Sequence, residues 1–159
     1  LHPTKTRKVD LSWGHEGFDF LGCHLRKRLS GPIWEKEGRR VYFLQRWPST
    51  RSMTRVRRRV HDLTASNRNG GKDVRVRIDD LNPVLRGWGN YFRTGNAARK
   101  LTDVDDYVRE RLRRFMWRRK KRHLRPGEGS TWTRAFFESL GLHRLRGTVR
   151  YPEATHAVA

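Results

Sequence analysis

The chain has 159 residues, and its 37 Lys+Arg against 16 Asp+Glu give a formal net charge of +21. Seventeen Phe, Tyr and Trp side chains are too many for a disordered basic tail, and one cysteine, Cys23, excludes an internal disulfide framework and a zinc site built on Cys pairs. No stretch approaches the ~18–20 apolar residues of a membrane span, and no secretory signal pattern opens the sequence, so the composition describes a polyanion-binding chain of a reducing compartment. Its length suits one domain, or one small domain with a docked appendage.

In chain order, residues 17–28 (GFDFLGCHLRKR) alternate loosely and are rich in aromatics, which predicts a strand. Ser30-Gly31-Pro32 and Glu37-Gly38 punctuate the next stretch, and Val41-Tyr42-Phe43-Leu44 predicts a second strand. Residues 17–46 thus read as a β-hairpin with a long or irregular connection, ended by Trp47-Pro48-Ser49. The period then becomes helical: Met53, Val56, Val60 and Leu63 fall on one face, with the arginines mostly opposite. Residues 66–72 (SNRNGGK) are the best linker candidate.

A second helical stripe comes next in Leu81, Val84, Leu85, Trp88, Tyr91 and Phe92, with Asn82-Pro83 as its expected N-cap and first turn. Gly87 and Gly89 inside it predict a close backbone approach, because each costs about 1 kcal/mol relative to Ala. Thr102-Asp103-Val104-Asp105 resembles a capping box opening a third helix, whose face carries Leu101, Val104, Val108, Leu112 and Phe115. Pro126-Gly127 stops it, and Ser130 or Thr131 is expected to cap a short fourth helix through Trp132, Phe136, Phe137 and Leu140. The fold class expected is α+β and mainly helical: a β-hairpin, a three-helix bundle and a short C-terminal helical or irregular segment. The aromatic stripes, Trp88, Tyr91 and Phe92 included, are assigned to the core, Trp88 being partly exposed at most.

The charge is concentrated. Residues 109–125 alone carry ten basic side chains against one acid, and Arg55, Arg57, Arg58 and Arg59 form a second concentration. Only eight of the 37 basic residues are lysine. Arginine's planar fork suits bidentate phosphate contact and stacking better than an ammonium does.

Catalytic chemistry is hard to find. Two-metal phosphoryl transfer needs carboxylates converging from separate segments. The two Asp pairs, Asp79-Asp80 and Asp105-Asp106, instead sit at predicted helix starts, where acids cap and complement the dipole. The seven histidines show no metal-ligand spacing, Gly70-Gly71-Lys72 lacks the strand-loop-helix frame of a phosphate loop, and Cys23 has no activating neighbours. No catalytic residue and no metal ligand is assigned.

Three blocks are more specific. Phe18-Asp19-Phe20-Leu21-Gly22, the run from Leu81-Asn82-Pro83 through Arg86-Gly87-Trp88-Gly89-Asn90-Tyr91-Phe92, and the ending Leu140-Gly141-Leu142 through Leu145-Arg146-Gly147-Thr148-Val149-Arg150-Tyr151-Pro152-Glu153-Ala154 together resemble the C-terminal portion of group II intron reverse transcriptase/maturases. The resemblance implies that residues 1–50 are the end of the palm with a primer-grip β-hairpin. Residues 51–125 would be the three-helix thumb, or maturase X domain, and residues 126–159 a C-terminal appendage. Phe20, Leu21 and Gly22 would be the primer-grip residues, and Lys5 the palm lysine near the incoming nucleotide. The fingers and the metal-binding palm aspartates would lie before Leu1, and no endonuclease module is recognised after the thumb. The expectation is therefore a fragment that is not an enzyme on its own, without a cofactor, Mg2+ belonging to the complete polymerase.

The function expected is binding of structured intron RNA and of an RNA–DNA template–primer duplex, in support of group II intron splicing and reverse transcription. A fingers–palm portion is the expected protein partner and the bacterial cytoplasm the expected location; membrane binding is not expected. Arg55, Arg58, Arg59, Arg113, Arg114, Arg118, Arg119 and Arg122 are the candidate phosphate contacts. The alternatives are a ribosomal-protein-like structural RNA binder and a polymerase subunit that regains activity with a separate fingers–palm chain.

Overall fold

The computed structural model describes residues 8–65, 73–120, 123 and 125–150. The chain divides into two compact units, Leu1–Ser52 and Met53–Ala159.

The first unit is a three-stranded antiparallel sheet of order β1-β2-β3, from β1 (Gly17–Phe20), β2 (Cys23–Leu29) and β3 (Tyr42–Pro48). A short helix, α1 (Gly31–Glu37), lies between β2 and β3 in sequence. The single strand expected over 17–28 is instead two, folded back at Leu21-Gly22 so that Phe20 pairs with Cys23. Both turn residues have positive φ, 46° and 77°, as a two-residue hairpin turn requires. Leucine there is unusual, because its Cβ is strained in that region. The punctuated stretch after Ser30 is α1, with Pro32 in its first turn and Gly38 closing it at φ 63°. Trp47 and Pro48 belong to β3 and do not end the sheet before it.

The helix α2 (Thr50–Thr64) starts from Ser49, whose Oγ accepts the Ser52 amide at 3.3 Å. Both serines also donate to the Gly22 carbonyl, Ser49 through its amide at 2.9 Å and Ser52 through its hydroxyl at 2.8 Å. Along α2 the expected face is buried at Met53, Val56 and Val60. The linker expected at 66–72 lies outside the described residues.

The second unit is helical. Its helix α3 (Val74–Phe92) begins nine residues before Pro83, capped by Asp73, whose carboxylate accepts the Arg75 amide at 2.9 Å. Pro83 therefore stands inside the helix, and Asp79-Asp80 are mid-helix residues, not a helix start. Helix α4 (Ala98–Lys120) likewise starts before the proposed capping box, and the Thr102 hydroxyl donates back to the Ala98 carbonyl at 3.1 Å. Its whole expected stripe, Leu101, Val104, Val108, Leu112 and Phe115, is buried. Helix α5 (Arg134–Ser139) is capped by Thr133, with Ser130 and Thr131 in the 3₁₀ turn Glu128–Thr131 before it.

Two arginines are built into this core. Arg77 is 1% exposed; it donates to the Leu63 carbonyl at 2.9 Å and stacks on the Phe115 ring at 5.3 Å. Arg111 donates through Nε to the Thr64 hydroxyl at 2.9 Å and through a terminal nitrogen to the His61 carbonyl at 3.5 Å. Both guanidinium groups thus meet the carbonyl end of α2, where the helix dipole favours positive charge. The same two side chains join α3 and α4 to α2.

The segment after α5 is held from two sides. Asn82, expected as an N-cap, uses its whole amide: its NH2 donates to the Gly141 carbonyl and its oxygen accepts the His143 amide, each at 2.9 Å. Asp105, expected to act at its own helix start, accepts the amides of Leu145 and Arg146, each at 2.9 Å, and so caps the 3₁₀ turn Arg146–Thr148. Leu145 is fully buried over Gly89, where an added Cβ would stand 2.6 Å from its Cδ2. The close approach expected at the two glycines is thus real at Gly89 only; Gly87 faces open space. The chain then pairs with the end of α3, Arg150 donating to the Arg93 carbonyl at 2.9 Å.

Candidate nucleic-acid interface

On α2, Arg55, Arg58 and Arg59 recur at i, i+3 and i+4 and form an exposed ridge opposite Met53, Val56 and Val60. Among the described residues no ion pair involves these three. Arg57 leaves the ridge, its guanidinium lying 5.9 Å from the Tyr107 ring centre.

On α4, residues at i, i+3, i+4, i+7 and i+8 from Glu110 bring Arg113, Arg114, Trp117 and Arg118 to one strip beside the buried stripe. This strip and the facing residues Gly129 and Trp132 line a cleft of about 560 Å³. The far wall is fastened to the helix: Arg113 donates to the Gly129 carbonyl at 3.3 Å, and Lys120 pairs with Glu128 at 2.7 Å. Arg114 is paired with Glu110 at 2.9 Å, while Arg118 is exposed. Arg119 points elsewhere, its guanidinium 5.9 Å from the Phe115 ring centre and beside a second hollow of about 300 Å³ lined by Asp73, Val74 and Met116. Three of the predicted arginines therefore share one cleft, three share the α2 ridge and Arg119 stands apart. Arg122 and Lys5 lie outside the described residues.

The primer-grip-like residues occupy the β1–β2 turn, where Phe20 and Leu21 are exposed. Two aromatics depart from the sequence reading. Tyr91, assigned to the core, is 55% exposed, edge-on to Phe92 with ring centres 4.7 Å apart. Trp117, which the apolar pattern does not mark, is 56% exposed in the cleft. The signal was present: Trp117 lies off the stripe of Leu101 through Phe115, on the arginine side.

Asp105 and Asp106 serve structure. Asp106 holds Arg134 at 2.8 Å and Arg109 at 3.4 Å. Burial raises the Asp105 carboxyl above its ordinary value, against the opposing pull of the Arg146 and Leu145 amides. Burial also raises the Cys23 thiol, which leaves it a poor nucleophile. Among the described residues no group of three or more His, Cys, Asp or Glu is placed to hold a metal ion. Among them, too, no helix is long and apolar enough to cross a membrane.

No curated protein sequence matches the chain. The family model for the group II intron, maturase-specific domain matches residues 53–132, half of the chain, from the first buried residue of α2 to Trp132 on the far wall of the cleft. The chain belongs to the group II intron maturase-specific domain family.

Proposed function

We propose that this maturase domain works by gripping phosphates of structured group II intron RNA with the arginines of the α2 ridge and of the α4 strip. Within a longer polymerase it would hold the template–primer duplex by the same means. The observation that carries the reading is the α2 ridge, where Arg55, Arg58 and Arg59 stand exposed with no acid paired to them among the described residues. Unopposed guanidinium groups at helical spacing are an electrostatic footprint for a polyanion. A-form RNA offers phosphates and 2′-hydroxyls more readily than base edges, so the preference expected is for shape over sequence. Lys5 as palm lysine and the Phe20-Leu21-Gly22 turn as primer grip belong to the polymerase part of the proposal. So do the fingers–palm partner, the Mg2+ of the complete polymerase and the bacterial cytoplasm. The present chain contributes binding and no bond-making step.

The test is binding of the cognate intron RNA across a salt series. With ~6–10 phosphates engaged, affinity falls about 10³-fold or more between 50 and 200 mM salt. The double variant Arg58→Ala/Arg59→Ala binds more weakly, with a shallower salt slope and an unchanged melting temperature. A flat salt response in the parent chain, or a melting loss that tracks the affinity loss, would refute the assignment.

A further inference from the structure

The α4 cleft differs in chemistry from the α2 ridge. The ridge is arginine alone, which suits a phosphate backbone of any conformation. The cleft sets the exposed ring of Trp117 beside Arg118, between walls pinned by the Arg113–Gly129 hydrogen bond and the Lys120–Glu128 ion pair. Its roughly 560 Å³ falls in the range of small-ligand sites. A tryptophan 56% exposed on a helix whose other face is fully packed contributes little to the core. Its ring lines the cleft, open to whatever enters.

A bare phosphate would use the guanidinium groups and leave the indole idle. A duplex would keep its bases stacked inside itself. Among the parts of an RNA, an unpaired nucleotide brings both a base for the ring and a phosphate for Arg118. We infer that the cleft captures one unpaired RNA nucleotide, its base stacked on Trp117 and its phosphate held by Arg118. This rests on the RNA-binding reading and adds a single-strand site to it. Because every base has a π face, the site tolerates any sequence. Arg114, held by Glu110 at 2.9 Å, is a wall of the cleft.

The experiment uses the whole chain and two fluorescent probes: an oligoadenylate of about twelve nucleotides and a blunt RNA duplex of about sixteen base pairs. Trp117→Ala lowers affinity for the single strand roughly tenfold, the scale of one lost base stack. Its affinity for the duplex, its salt slope and its melting temperature stay at the parent values. Trp117→Phe, which keeps a ring, recovers most of the single-strand affinity. Equal losses on both probes would overturn the proposal, and so would a Trp117→Phe variant as weak as Trp117→Ala. Unchanged single-strand binding in Trp117→Ala overturns the nucleotide site while leaving the phosphate reading standing. Failure of the parent chain to bind either probe at low salt overturns both.

Discussion

Replacing Asp105 by alanine tests how the C-terminal segment is held. The carboxylate accepts the amides of Leu145 and Arg146, both at 2.9 Å, from a position only 9% exposed. Alanine leaves the Leu145 amide orphaned inside a fully buried residue, at a cost of about 1–3 kcal/mol. The Arg146 amide is half-buried and regains part of its bond from water, so its loss is smaller. Relief of a buried carboxyl works in the opposite direction, since burial already raises its pKa. The net expectation is a loss of about 2 kcal/mol, or roughly 4–8 °C in melting temperature for a chain of this size. Urea unfolding of the full chain measures the first quantity, and amide hydrogen exchange at Leu145 reads the cap directly. The loss should appear as a lower midpoint at unchanged slope, with faster exchange at Leu145 and Arg146. A loss below about 0.5 kcal/mol, the range of ordinary surface substitutions, with Leu145 exchange unaltered would show that Asp105 does not secure the turn.

Two further expectations concern the same region. Gly89→Ala places its Cβ 2.6 Å from Leu145 Cδ2 and destabilises by about 1–3 kcal/mol. Gly87→Ala, with nothing within 4 Å, is neutral or stabilising by up to about 1 kcal/mol in the same thermal melts; equal effects at both sites would contradict the packing. Burial first, and then the Arg86 charge, lower the His143 imidazole below its ordinary value of 6.5. A lowered folded value favours the neutral ring in the fold, so the stability it supports is present above that ordinary value and is lost as pH falls through it. The His143→Gln variant should therefore lose less stability than the parent between about pH 7.5 and 5.5, a window spanning ordinary histidine titration.

The parts of the fold that were legible in the sequence are those where apolar spacing and burial coincide. The α4 stripe is the clearest case, with all five of its residues buried. The start of α3 was hidden for two reasons. Val74-Arg75-Val76-Arg77-Ile78 alternates like a strand, and Asn82-Pro83 reads as a boundary. A pattern that counts every arginine as outward-facing misreads Arg77, whose charge is stabilised by a carbonyl and a ring from elsewhere in the chain. The β1–β2 reversal was hidden because Leu21 occupies a turn position where Asn or Gly is the usual marker. For the candidate site, the arginine positions were legible from charge alone. Which of them share a cleft depended on the turn Glu128–Thr131 folding back on α4, and no local pattern encodes that.

The fastening of α2's carbonyl end by Arg77 and Arg111 also bears on how the arginine ridge meets a ligand. In the helix secured there, Arg55 and Arg59 stand about 6 Å apart along the axis, a spacing set when the chain folds. The ridge behaves as a ruler with fixed graduations. On the proposed reading, little backbone entropy remains to be lost when RNA arrives. An RNA would meet a backbone spacing already set, and the fit to its phosphates would come from the exposed arginine side chains, whose rotamers are ordered at that moment.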